Sequence, residues 1–233
     1  GDLELLLGLY GKQDRIPFMR ELWAATKTAN TWYKEFSGVV PEWFNLYLGL
    51  ESGAAELSSF EAMVVPGLLQ KRDYARAVIS GDPDLTDDEV EQGVELRLAR
   101  QQILGREIDP VRLWAVIDES VLYRTRGDDT VMHWQLKHLL EMSEKPGIDI
   151  QILPLKAGGT PSQDCGTFKL MKFPLVMEND PGLVYLELPT GGKYVEKQEE
   201  IVVYERALTR LRALAADQKA SRAIIRKALK EVT

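Results

Sequence analysis

The chain is poor in the residues from which catalytic and metal centres are most often built. Cys165 is its only cysteine, so no internal disulfide and no cysteine-based zinc site can form. The scarcity suits a reducing cytoplasm. His133 and His138 are the only histidines. Five positions apart on a helix, they point about 140° away from each other, unlike an i,i+4 ligand pair. No Walker, dinucleotide or Gly-x-Ser-x-Gly pattern is present. Gly158-Gly159-Thr160 lacks the Gly-Lys-Ser/Thr ending of a phosphate loop and reads as a connection between strands. With no nucleophile or ligand set in view, the sequence predicts neither an enzyme nor a cofactor.

A basic excess is also missing. Asp and Glu outnumber Lys and Arg by 36 to 29, for a net charge of -7. Phosphate neutralisation supplies most of the affinity of a free-standing nucleic-acid binder, so this chain alone is not expected to grip duplex DNA. No stretch of about 18 apolar residues predicts a membrane span. The opening Gly1-Asp2-Leu3-Glu4 has neither the basic start of a signal peptide nor a Met, and reads as lying inside a longer protein.

What remains is ordinary globular material, 45% apolar and 28% charged, long enough at 233 residues for a sizeable core. Leu3, Leu6, Leu7 and Tyr10 recur at helical spacing, with Gly11 as a stop. A mixed helical segment is expected over 15–36, and Pro41 opens an aromatic helix with Trp43, Phe44 and Tyr47. Residues 54–65 read as a strand closed by the Pro66-Gly67 turn, and 71–80 as a short helix. Thr86 and Glu89 form a capping-box pattern that starts a helix to about Leu104. Strands are expected at 111–118, 148–153, 167–173, 183–188 and 193–195, with Pro189-Thr190-Gly191-Gly192 as a hairpin cue. Helices are expected at 128–144, 197–215 and, capped by Asp217, from there to about Val232. The pattern is α+β: a helix-rich N-terminal half, a small, mainly antiparallel sheet, and long C-terminal helices.

A few polar residues ask for an explanation. Arg97 sits beside Val94 and Leu98 on an apolar stripe, where a charge needs a partner. Glu61, Glu119 or Glu187 could supply it, and loss of such a pair in Arg97→Ala is expected to cost on the order of 3 kcal/mol. Gln70 and Tyr74 follow the Pro-Gly turn, and Arg100 and Gln101 lie close to Arg97 on the same helix. Together these groups make either a structural salt-bridge network or a small-ligand pocket. Asp118 reads as the cap of a short helix that includes Glu119. Six of the aromatics fall between Trp32 and Tyr47, and such a cluster is either a core junction or a docking surface.

Several blocks together resemble a known family. Pro41-Glu42-Trp43-Phe44 with Tyr47-Leu48-Gly49-Leu50-Glu51 is one, and Val65-Pro66-Gly67-Leu68-Leu69-Gln70 with Asp73-Tyr74-Ala75-Arg76-Ala77 is the best. Arg97-Leu98-Ala99-Arg100-Gln101, Asp118-Glu119, Leu153-Pro154 and Gly192 with Tyr194 follow in order. This resembles the C-terminal regulatory domain of WhiJ-like, antitoxin-like actinobacterial regulators with an Xre-type helix-turn-helix. The resemblance implies that residues 1–12 are the last helix of the DNA-reading domain and 13–233 the regulatory, partner-binding domain. It implies DNA binding only through the missing helix-turn-helix. The expected partner is a small BldB-like protein encoded nearby, or a second copy of the chain. Trp32, Trp43 and Tyr47 are the candidates for an exposed interface, with Phe44 in the core. The alternative is that the domain senses a small molecule.

Overall fold

The computed structural model describes residues 2–11, 13, 16, 42–107, 109–158, 165–174 and 180–232. The helix expected over 15–36 falls almost entirely outside them, as do Trp32, Pro41, Gly159 and Thr160. The chain divides into two compact units, Gly1–Glu35 and Phe36–Thr233. In the first, helix α1 (Asp2–Leu9) ends at Gly11, whose φ of 65° suits a residue without a Cβ. Leu5, Leu6, Leu9 and Tyr10 are exposed.

The second unit opens with α2 (Glu42–Gly53) and β1 (Glu56–Glu61). Pro66 and a 3-10 turn over Gly67–Leu69 lead into α3 (Arg72–Ile79). Helix α4 (Asp87–Arg100) begins with the expected capping box: Glu89 N–H donates to the Thr86 hydroxyl and Thr86 N–H to the Glu89 carboxylate. A 3-10 stretch, Gln101–Gly105, continues it. Strand β2 (Arg112–Asp118) ends in a turn, Glu119–Leu122, that Asp118 caps by accepting from Ser120 N–H at 2.9 Å. Then come α5 (Asp129–Met142), β3 (Ile148–Leu153), β4 (Phe168–Lys172), β5 (Leu183–Leu188) and β6 (Gly191–Val195). The chain closes with α6 (Gln198–Leu214) and α7 (Gln218–Glu231), the latter capped by Asp217. Among the described residues no helix is long and apolar enough to cross a membrane.

The fold is α+β, built on one six-stranded sheet in the order β3-β2-β1-β4-β5-β6. Its β4–β6 half is the antiparallel unit expected from the sequence, with Pro189-Thr190 as the hairpin turn between Leu188 and Gly191. The pairing is mainly antiparallel, as expected, and the other half of the sheet adds a parallel part. Strands β1, β2 and β3 pair in parallel, because α3–α4 and α5 are inserted between them as crossovers, which parallel neighbours require. The sheet is therefore mixed and covered on both faces. Phe60, Val116, Leu170 and Val184 form one face, packed under Ile201, Leu208 and Leu211 of α6. Register places Leu57, Ala115, Ile150 and Met171 on the other.

That second face changes character towards the ends of β1, β4 and β5. Cross-strand register sets Ser59 opposite Lys169, Lys169 opposite Tyr185, and Tyr185 opposite Tyr194. With two-residue periodicity, Glu61 and Glu187 lie one step further along the same face. Helix α2, the Pro66–Gln70 segment and α4 form the cover there. Gln135, fully buried on α5, holds this cover in place: it accepts from Lys71 N–H at 2.8 Å and donates to Leu69 O at 2.7 Å.

Candidate functional site

The centre of the cover is a buried ion pair. Arg100 Nε lies 2.7 Å from Glu51 Oε2, and Arg100 Nη2 lies 2.9 Å from Glu51 Oε1. Both side chains are almost wholly buried. Tyr47, one turn before Glu51 on α2, donates its hydroxyl proton to the same carboxylate. Its oxygen in turn accepts from Arg100 Nη2 at 3.2 Å and from Lys169 Nζ at 3.0 Å. One phenol thus joins α2, α4 and β4. Rings extend the junction: Phe44 stacks on Tyr47 at 4.9 Å, Tyr47 meets Tyr185 at 4.5 Å, and Tyr185 meets Tyr194 at 5.3 Å. Gly192 leaves room for this: a Cβ there would sit 2.5 Å from Tyr185 Cε2.

The charges answer to this packing. Burial alone would neutralise Glu51, but the Arg100 guanidinium outweighs it and holds the carboxyl below its ordinary range. Burial likewise works against the Arg100 cation, and Glu51 followed by Tyr47 overcomes it and raises its pKa. The Tyr47 phenol is pushed up by burial and then by Glu51, so it stays a neutral donor.

Beside this closed network lies an unfilled space. A cavity of about 270 Å³ is lined by Glu61, Gln70, Arg97, Lys169, Tyr185 and Glu187, with Arg100 at its edge and an apolar wall from Phe44, Val64, Val65 and Val78. A separate small pocket of about 20 Å³ is lined by Ser59 and shares Glu61 and Lys169 with the cavity. Exposed Met63 and Glu187 mark its mouth. Six buried side-chain atoms among the described residues have no hydrogen-bond partner, and three of them belong to residues of this lining: Glu61 Oε1, Arg97 Nε and Tyr185 OH. An unpaired buried polar atom costs about 1–3 kcal/mol, so their convergence on one space needs a reason. A larger groove of about 610 Å³ between residues 143–149 and α7 is an open polar surface and holds none of these atoms.

Arg97 corrects the expectation made for it. It is half-buried rather than buried, and among the described residues it has no ion-pair partner. Its guanidinium donates to the Gln70 side-chain oxygen at 2.7 Å. Burial, followed by the neighbouring Arg100 charge, lowers its pKa to about 10. The carboxylate-paired arginine is Arg100, three positions on. Glu61 is buried with an unpartnered oxygen, and burial raises its pKa from 4.5 to about 7, against Lys169 and with Glu187. Ser59 and Arg97 oppose the rise more weakly.

Of the other residues singled out from the sequence, Gln70 lines the cavity and ties back to Val65 O at 2.6 Å. Tyr74 is buried just behind, accepting from Val65 N–H at 3.2 Å, and Gln101 donates to Gly67 O and Gln70 O. These two shape the cover rather than the space. Glu119 stands apart and accepts from Leu155 N–H at 2.8 Å. Tyr47 overturns its expected place on an exposed interface, because it is fully buried. Phe44, expected in the core, is half-buried at the cavity wall. Trp43 does reach solvent, at 37% exposure. Sequence reasoning missed Ser59, Lys169, Tyr185 and, as site residues, Tyr47 and Glu51.

Fold and site define an α+β domain that encloses a small, charge-lined cavity between its sheet and its helical cover. A family model described as a domain of unknown function (DUF5753) matches residues 44–227, and the chain belongs to that family. No curated protein and no solved structure matches the chain.

Two expectations follow. Arg100→Met leaves Glu51 buried without its cation and is expected to cost about 3–5 kcal/mol in urea unfolding, while Arg97→Met costs less than half as much. Equal losses would contradict the assignment of the structural pair. The second concerns Glu61. Its folded pKa is raised, so its contribution to stability is fully present below pH 4.5 and declines as pH rises to about 7. Wild type should lose on the order of 3 kcal/mol relative to Glu61→Gln across that window. Parallel stability–pH curves for the two proteins would show that Glu61 is not raised.

Proposed function

We propose that this chain is the ligand-responsive regulatory domain of a cytoplasmic helix-turn-helix transcription regulator, and that a small molecule held in the cavity sets the state of the attached DNA reader. One observation carries the reading: three unpartnered buried polar atoms, on Glu61, Arg97 and Tyr185, converge on a 270 Å³ space with an apolar wall. Small-molecule sites have this make-up, mostly apolar with a few convergent polar groups. The regulatory context rests on the WhiJ-like resemblance.

Binding fits the lining better than catalysis. Ser59 and Lys169 face each other across β1 and β4, but Lys169 donates to Tyr47 and no hydrogen bond joins it to the Ser59 hydroxyl among the described residues. A nucleophile needs its base within hydrogen-bond reach.

The second reading, docking of a BldB-like partner or a second copy, is favoured by Trp43 and Leu46, exposed at 37% and 55% on α2. The two readings are compatible, since α2 also carries Tyr47 and Glu51 to the cavity roof. A bound ligand would then change the surface that a partner meets.

Native mass spectrometry of the purified chain tests the ligand reading. The expected result is a small organic adduct, lost from the Glu61→Gln, Arg97→Met double variant. Protein-free cell extract should also raise the melting temperature of stripped wild type, because a ligand at 100 times its Kd stabilises by about 2.7 kcal/mol. No adduct and no stabilisation would contradict a ligand site.

A further inference from the structure

The lining of the cavity says what kind of molecule fits it, taking the ligand-binding reading as its premise. Both signs of charge face the space, and among the described residues Glu61, Glu187, Arg97 and Lys169 feel one another's charges without closing into an ion pair. On the cationic side, Arg97 spends one nitrogen on the Gln70 amide and leaves Nε unpartnered. Lys169 spends one hydrogen bond on a neutral phenol, Tyr47. On the anionic side, Glu61 has a buried oxygen with no donor, and Glu187 lies on the same sheet face at the mouth. Arg100 and Glu51 neutralise each other and add no demand.

A ligand of one charge sign meets this lining badly. A simple anion would gain Arg97 and Lys169 but sit against Glu61 and Glu187. A simple cation would face the reverse, and like charges at short range in a partly desolvated site cost heavily. A neutral apolar molecule would leave Glu61, Arg97 and Tyr185 as unsatisfied as before. We infer that the cavity takes a small zwitterion with an apolar part: its carboxylate on Arg97 and Lys169, its ammonium on Glu61 and Glu187, and its side group against Phe44, Val64, Val65 and Val78. An α-amino acid with an apolar side chain has this chemistry. The size agrees, since 270 Å³ is about nine water volumes at ~30 Å³ each.

The arrangement also sets a pH dependence. Glu61 faces Lys169 from β4, Glu187 from β5 and Arg97 from α4, with Ser59 on its own strand. An arriving ammonium pairs only with the ionised form of Glu61. Affinity therefore rises as pH increases through about 7, as long as the ligand amine stays protonated.

Calorimetric titration of the whole chain tests this with three matched sets of probes. The first is L-valine, L-leucine, L-methionine, L-phenylalanine and L-tryptophan. The second and third are their decarboxylated amines and their deaminated acids. At least one amino acid is expected to bind at least tenfold more tightly than both of its single-charge counterparts. Arg97→Met should abolish its advantage over the amine, and Glu61→Gln its advantage over the acid. Glu61→Gln should also flatten the pH dependence, which a merely structural role would not do. Circular dichroism confirms that each variant is folded, and Glu187→Gln serves as a second test of the ammonium end should Glu61→Gln misfold. The zwitterion is overturned if no probe binds at 10 mM, or if the acid or the amine binds as well as the amino acid. Mass spectrometry of small molecules captured from cell extract then separates the two levels. A captured anion or neutral molecule, lost in the double variant, overturns the zwitterion and leaves the ligand site standing. Nothing captured overturns both.

Discussion

The site is organised by the Arg100–Glu51 pair, buried with Tyr47 as their common neighbour. Two full charges taken out of water are tolerable only with good geometry and further hydrogen bonds, and here all three groups share both. The pair draws α2 and α4, separated by 49 positions in sequence between the two side chains, into one roof over the sheet. Lys169, reaching the same phenol from β4, ties roof to floor. The Gln70, Gln101 and Gln135 amides then hold the intervening Pro66–Lys71 segment against α4 and α5.

The cavity lies between that roof and the sheet. Tyr185 is held by its rings above and beside it, with Gly192 making the room. Glu61 and Ser59 are held on a central strand with neighbours on both sides. The unpartnered atoms thus sit on rigid elements and not on loops, which suits a preorganised binding site. A polar network that is complete in one half and open in the other is costly to a protein that gains nothing from it, and this contrast argues for a ligand.

Much of the fold was legible in local patterns. The Thr86–Glu89 box, the Asp118 and Asp217 caps and the 148–153 strand all report on neighbours a few residues away, and all are present. The parallel half of the sheet was not legible, because pairing of β1 with β2 and β3 is set by crossovers and leaves no short-range mark. The candidate site was half legible for the same reason. Glu61, Gln70, Arg97, Arg100 and Glu187 stood out as polar residues in apolar settings, and they converge. Lys169 did not, since a lysine in an alternating strand reads as facing solvent, and the segments that cover that face, α2 among them, are distant in sequence. Arg97 and Arg100 exchanged roles because α4 is buried beyond a single stripe, with Leu96 and Arg100 inside as well as Val90 and Val94. Tyr47 read as an interface anchor because an aromatic cluster looks alike from sequence whether it faces outward or in.

The most direct measurement is an arginine side-chain Nε–H spectrum of the stripped chain, recorded before and after protein-free cell extract is added. The unpartnered Arg97 Nε–H should shift as the ligand supplies an acceptor, while the Arg100 Nε–H, locked on Glu51, stays in place. An Arg97 signal that does not move at saturating extract would contradict the claim that this cavity is a ligand site.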